Sequence, residues 1–249
     1  MTWDADGGRE RGYRLQVLGG WNLSRDGLPC TVPLRSRRLV ALLAVAGPAP
    51  RPVLCGRLWP ESSEQHALDS LRVTIHHVGR DLPGLIAVDG SMVSLTGAVA
   101  VDVAEERVTL ADAGPEATSF GPEPELLPGW YEDWVLVAQD LLRTQRIHHH
   151  ASRAQRLLDA GDMRAAVDAA GRSLALDPLD EWSLEVLVRA HLGRGAACGA
   201  RRALTAFRRG LQREFGQYAS PLLDELDRLV ERPPVVATPA SGIRADAPG

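Results

Sequence analysis

Three groups of residues have side chains that do chemistry when their spacing allows it. His76 and His77 stand among arginines in "ALDSLRVTIHHVGRDL" (67–82), His148, His149 and His150 form a triplet, and Glu105-Glu106 and Glu132-Asp133 pair carboxylates. A metal ion held by a helix needs two ligands three or four residues apart. His76 and His77 have no His, Cys, Asp or Glu at 72, 73 or 80, although Asp81 lies four beyond His77. The triplet has no acidic, Cys or His partner within four residues on either side. Cys30, Cys55 and Cys198 are scattered, without metal-binding spacing. There is no phosphate-cradling glycine loop, no GxSxG elbow and no Cys-His nucleophile pair. The carboxylate pairs read as solvated helix ends, not as a matched acid and base. Neither catalysis, a metal nor a cofactor is expected. What remains is a polar, arginine-bearing helix face of the kind that meets phosphates and base edges.

The helix under that face can be read from spacing. Leu68, Leu71, Ile75, Val78 and Leu82 recur every three or four residues as one apolar stripe. At about 100° per residue, Asp69, Arg72, Val73, His76 and Arg80 fall on the opposite side, with His66 and His77 at an edge. Ser62 or Ser63 can cap the start, and Glu64 suits the first turn. Upstream, "YRLQVLGGWNLSRDGLPCTVPLR" (13–35) alternates around Gly-Gly and Asp-Gly breaks, a strand–turn–strand pattern. "SRRLVALLAVAG" reads as a helix stopped by Gly47 and Pro48, and "RPVLCGRLWP" as a short helix between Pro52 and Pro60. "LIAVDGSMVSL" (85–95) is a hairpin around Asp89-Gly90. Strands, three helices and a closing hairpin are the parts of a winged helix-turn-helix.

Charge divides along the chain. All 28 basic residues are arginine, and the net charge is −4, which argues against a protein that coats DNA generally. From Gly12 to Leu82 nine arginines stand against five acids, whereas from Ala111 onward sixteen stand against twenty. Opposite local balances suggest different partners for the two regions. A Pro-, Gly- and Glu-rich stretch from Ala113 to Pro124 reads as a loop or linker. Beyond it the pattern is helical. "LLDAGDMRAAVDAAGRSLALDP" (157–178) and "HLGRGAACGARRALTAFRRGLQ" (191–212) stand 34 residues apart, with Leu158/Leu192, Gly161/Gly195, Ala166/Ala200 and Ala169/Ala203 coinciding. Small residues at that period suit closely packed tetratricopeptide helix pairs.

The expected fold is therefore an α+β N-terminal winged helix-turn-helix followed by an all-α tetratricopeptide-like helical domain. The expected boundaries are 1–11 for a flexible N-terminus, 12–100 for the winged helix, 101–232 for the helical domain and 233–249 for a disordered tail. The longest apolar run, Leu39 to Gly47, is too short to span a bilayer. The N-terminus lacks the basic-then-apolar pattern of a secretory signal, so a cytoplasmic protein with no membrane partner is expected.

In the winged helix, Arg72, Thr74, His76, His77 and Arg80 would reach bases or phosphates in a major groove. Arginine can fork onto a guanine edge, whereas histidine is a weaker and pH-dependent contact. Asp69 would repel phosphate unless it pairs with Arg72. Arg35, Arg37 and Arg38 at the first helix would hold phosphates without reading sequence; the alternative is a solvated helix end. The wing tip, Asp89 and Ser91, carries no arginine. Trp130, Tyr131 and Trp134 are expected to anchor the long helix that follows them.

Four segments resemble the SARP family of bacterial antibiotic regulatory proteins: "LRSRRLVALLA" (34–44), "LWPESSEQHALDSLRVTIHHV" (58–78), "LLPGWYEDWVL" (126–136) and "LDPLDEWSLEVLVRAHLGRG" (176–195). The resemblance covers roughly residues 13 to 230. It implies an OmpR-like winged helix joined to a bacterial transcriptional activator domain, in the small two-domain form. It further implies an activator of antibiotic biosynthesis genes that binds promoter direct repeats in double-stranded DNA as a homodimer. The helical domain would dimerise or touch RNA polymerase holoenzyme. One departure stands out: relatives carry several arginines late in the third helix, where this chain reads "HHVGR". Gly79 there weakens the helix by about 1 kcal/mol relative to alanine. That departure motivates a different reading, a tetratricopeptide scaffold whose winged helix no longer binds DNA.

Overall fold

The computed structural model describes residues 12–111, 123–216 and 220–231. The chain divides into two compact units after Arg146. The expected N-terminal and C-terminal flexible segments, and most of the stretch from Ala113 to Pro124, lie outside the described residues.

The first unit opens with β1 (Tyr13–Gln16), β2 (Asn22–Arg25) and β3 (Leu28–Pro29), an antiparallel meander. Arg25 pairs with Leu28 across Asp26 and Gly27, both at positive φ, the two-residue turn that matches strand twist. A fourth strand, β7 (Val99–Val101), runs parallel to β1 and completes the order β3-β2-β1-β7. The Asp102 carboxylate at the end of β7 accepts from the Val17 and Leu18 amides at 3.0 Å. Those amides at the end of β1 would otherwise be buried without an acceptor.

Between those strands come α1 (Leu34–Ala46), β4 (Ala49–Pro50), α2 (Arg51–Leu58), α3 (Glu64–Asp81), and the hairpin β5 (Ile86–Asp89) and β6 (Met92–Leu95). Every residue of α1 from Leu39 to Val45 is buried, so this helix is the centre of the unit, not its surface. It stops at Gly47, whose amide donates to Leu43 O at a φ of 78° that suits glycine. The hairpin turns at Gly90-Ser91 as the Asp-Gly signal predicts, with Asp89 opposite Met92. The two-residue β4 adds to β6, giving the wing a third strand, order β4-β6-β5.

α4 (Asp102–Ala111) follows β7. Residues 125–127 then return to the sheet: Leu18 bridges Leu126, and the Leu127 amide donates to Val17 O at 2.7 Å. Leu126 and Leu127 are fully buried. Trp21 stacks on Trp130 at 6.1 Å, and Trp130 meets Trp134 edge-on at 6.4 Å. These two tryptophans anchor the start of α5 (Asp133–Asp159) as expected, but Tyr131 between them is 81% exposed.

The 27-residue α5 contributes residues up to Arg146 to the first unit and the remainder to the second. The second unit continues with α6 (Met163–Leu176), α7 (Glu181–Gly193), α8 (Ala197–Phe215) and α9 (Pro221–Glu231). The 34-residue repeat is visible in backbone hydrogen bonds. Ala160, Gly161 and Asp162 donate to Arg156, Leu158 and Leu157; Arg194, Gly195 and Ala196 donate to Ala190, Leu192 and His191. Gly161 and Gly195 hold φ of 80° and 70° at the same place in each turn. Ala166 and Ala200, at the same place in the following helices, are both fully buried. Leu184, Val188, Leu204, Phe207 and Leu226 fill the core of the later helices. His149 and His150 are buried, with their rings edge-on at 5.5 Å.

The architecture is thus a winged helix-turn-helix of α+β type followed by an all-α tetratricopeptide-like domain.

Candidate nucleic-acid interface

α3 begins at Ser63, whose hydroxyl lies 2.9 Å from His66 Nδ1 and caps the His66 amide. Ala67, Leu71, Thr74, Val78 and Leu82 form the buried face, each under 10% exposed. The stripe is therefore turned slightly from the expected one, and Leu68 and Ile75 sit half-buried at its border. Thr74 corrects an expectation. Expected to contact DNA, it is instead fully buried, and its hydroxyl donates to Ser70 O at 2.7 Å. That internal bond removes the cost of burying a hydroxyl, so threonine behaves here as a core residue.

The outer face carries Gln65, Asp69, Arg72, Val73, His76 and Arg80, all exposed, with His77 exposed at its edge. Asp69 organises the first half: it accepts from Arg72 Nη1 at 3.1 Å and from Gln65 Nε2 at 3.2 Å. The pairing of Asp69 with Arg72 shields phosphate from that carboxylate. At the far end, Arg80 closes both sides of its fork on Asp81, Nε to Oδ1 at 2.7 Å and Nη2 to Oδ2 at 3.0 Å. The Arg80 hydrogen bond holds the Asp81 carboxyl below the usual carboxylate range. Arg80 therefore has to leave Asp81 before its fork can take a phosphate. Gln65 and Val73 belong on this face beside the expected residues. Gln65 suits an adenine edge, and the 43% exposed Val73 suits a thymine methyl. Their positions on the outer side were the only sequence signal for them.

The three arginines of α1 differ. Arg35 is exposed, with its guanidinium 6.0 Å from the Trp59 ring centroid. Arg37 is half-buried and its Nε donates to Val32 O at 2.8 Å. Arg38 departs from its expected role as a phosphate holder. Its Nε donates to Glu132 and its Nη2 to Leu58 O, both at 2.8 Å, with the side chain only 25% exposed. It ties α1 to the end of α2 and the approach to α5. Wing residues Val88 and Met92 are partly exposed apolar groups, at 43% and 39%.

Among the described residues, no group of three or more His, Cys, Asp or Glu could hold a metal ion. No described helix is long and apolar enough to cross a membrane.

A helix with a buried apolar side and an exposed, hydrogen-bonding outer side, accompanied by a three-stranded wing, is the arrangement of a winged helix-turn-helix. Residues 112–230 match the bacterial transcriptional activator domain family. The fold is similar to Mycobacterium tuberculosis EmbR, solved in complex with a low-affinity phosphopeptide, at a TM-score of 0.63 and 18% identity. That likeness covers 88% of this chain and 65% of the EmbR chain, so this chain spans less than two thirds of it. No curated protein matches the chain. The matched segment follows the winged helix in sequence and covers just under half of the chain.

Proposed function

We propose that this protein is a sequence-specific, double-stranded DNA-binding activator of antibiotic biosynthesis genes that works in the cytoplasm. The outer face of α3 enters the major groove, where Arg72 reads a base edge while His76, His77 and Arg80 approach bases or phosphates. Arg35 and Arg37 hold the backbone from α1. Two protomers occupy promoter direct repeats, and the helical domain contacts RNA polymerase holoenzyme or the second protomer. The observation that carries this reading is the pairing on one helix of a buried Ala67–Leu82 stripe with an exposed Arg72–His76–Arg80 row. Fluorescence anisotropy against the protein's own upstream region and a scrambled duplex tests it. Tight binding to the first, falling steeply with salt as counterions are released, is expected; equal affinity for both sinks it.

The scaffold reading has its own observation. Arg72 and Arg80 each lie against an acid of the same helix, which lowers the net charge that α3 offers to phosphate. It predicts that no duplex binds with sequence preference at any salt concentration.

A further inference from the structure

In the first unit α1, α2, α4 and the first half of α5 surround a groove of about 820 Å³, within the range of small-molecule sites. Leu42 and Val45 from α1 and Trp134, Ala138 and Leu141 from α5 give it apolar walls. Val137 joins them, 68% exposed, and Leu141 one turn on is 51% exposed. Single exposed apolar residues are ordinary. Two that stand a turn apart beside a tryptophan in a concave wall form a patch that marks a binding surface.

Charge at the groove is uneven. Of its three arginines, Arg38 is held by Glu132 and the Leu58 carbonyl, and Arg107 Nη1 by the Val45 carbonyl. Arg57, on α2, is exposed and has no hydrogen-bond or ion-pair partner among the described residues. Asp133 also lines the groove, but it stands in the first turn of α5, where the helix dipole favours an acid. The wall has unmet polar capacity too. Trp134 is 9% exposed, and its Nε1 has no partner; neither has Gln145 Oε1. A buried indole N–H normally finds an acceptor.

We propose that this groove binds a small aromatic anion: a flat apolar body against Trp134, Leu42 and Leu141, with a carboxylate- or sulfonate-like group at Arg57. The ligand lies along α1, the helix that presents Arg35 and Arg37. The inference does not rest on DNA binding, and its test contains no DNA.

The probe is 8-anilinonaphthalene-1-sulfonate, titrated into the full chain and followed by fluorescence, beside N-phenyl-1-naphthylamine, which lacks the sulfonate. One saturable site per chain is expected for the anion. Arg57→Glu, at an exposed position, weakens the anionic dye about tenfold and leaves the neutral dye unchanged. Val137→Asp weakens both dyes, whereas Leu28→Asp, at a residue 72% exposed in β3, weakens neither. Circular dichroism checks that each variant keeps its fold. Absence of a single saturable site, or equal effects of Val137→Asp and Leu28→Asp, overturns the groove as a ligand site. Loss of the anionic dye with Val137→Asp but not with Arg57→Glu overturns the assignment of an anion.

Discussion

Arg72 and Asp69 lie 3.1 Å apart, one turn from each other on the outer face of α3, and Gln65 holds the other oxygen of the same carboxylate. The carboxylate thus stands between the two side chains best suited to read bases. It limits their rotation and neutralises one charge where DNA would approach. Arg72→Ala is expected to cost about 1–3 kcal/mol of binding and to relax discrimination at one base position. Asp69→Asn is expected to raise affinity for all duplexes and lower the preference for the operator. Anisotropy against single-base operator variants measures both. A uniform loss across all variants for Arg72→Ala would instead place that guanidinium on phosphate.

The α1 arginines are expected to separate by role. Arg38→Ala leaves Glu132 and the carbonyl of buried Leu58 without their Arg38 donor. It should lower stability by about 1–3 kcal/mol in urea unfolding. Arg35→Ala and Arg37→Ala should leave much of that stability, weaken all sequences alike, and each reduce the salt slope by about one. A preserved slope in both variants would remove α1 from the DNA contact.

His76 and His77 face Arg72, Arg80 and Asp81 on their own helix. An imidazolium at either position would add a cation where phosphate would lie, whereas the neutral ring would not. Binding is expected to be tighter at pH 6 than at pH 8. His76→Gln with His77→Gln should flatten that profile, measured at constant ionic strength. A flat profile in the unaltered protein takes both residues off the contact surface.

Local signals in the sequence carried far. Ser63 caps α3 as its position suggests, the Asp89-Gly90 hairpin forms, and the spacing of Gly161 and Gly195 marks two turns with the same bonding. Each depends on residues within a few positions of one another. The burial of Thr74 was not legible, because it depends on Ser70 O satisfying the hydroxyl within one turn. Arg38 was misplaced because its acceptors lie 94 and 20 residues away. The parallel pairing of β7 with β1, the Asp102 cap and the return of residues 125–127 to the sheet are equally remote in sequence. Compactness divides the chain after Arg146, because Leu126, Leu127 and Trp134 bury their side chains in the first unit, a grouping that no local pattern in the sequence reveals.

The glycines that begin each repeat unit are expected to be intolerant of side chains. A Cβ at Gly161 or Gly195 meets no atom within 4 Å, so any cost comes from the positive φ alone. Gly161→Ala and Gly195→Ala should each lose about 1 kcal/mol. Gly199→Ala adds a collision, since its Cβ would stand 2.6 Å from His191 Nδ1. It should lose more than either turn variant, as overpacking typically does, about 1–3 kcal/mol. Thermal unfolding ranks the three; Gly199→Ala as the mildest would mean that the His191 ring swings away freely.

Arg146 is a deeply enclosed charge. It donates to Glu106 at 2.8 and 2.9 Å and lies 3.2 Å from Glu123, with its side chain 6% exposed. Arg146→Met strands two carboxylates and is expected to cost about 3–5 kcal/mol in urea unfolding. Burial pushes the Glu106 carboxyl up, and the attraction of Arg146 offsets that only in part. Between the unfolded carboxylate value, about 4.3, and the raised folded value, the native chain therefore holds a proton that the unfolded chain has lost. Stability from this group falls as pH rises through that window. Glu106→Gln removes the fall, so the stability of the unaltered protein relative to the variant should decrease from about pH 4 upward and then level off. A relative gain with rising pH would mean that the attraction of Arg146 outweighs the burial of Glu106.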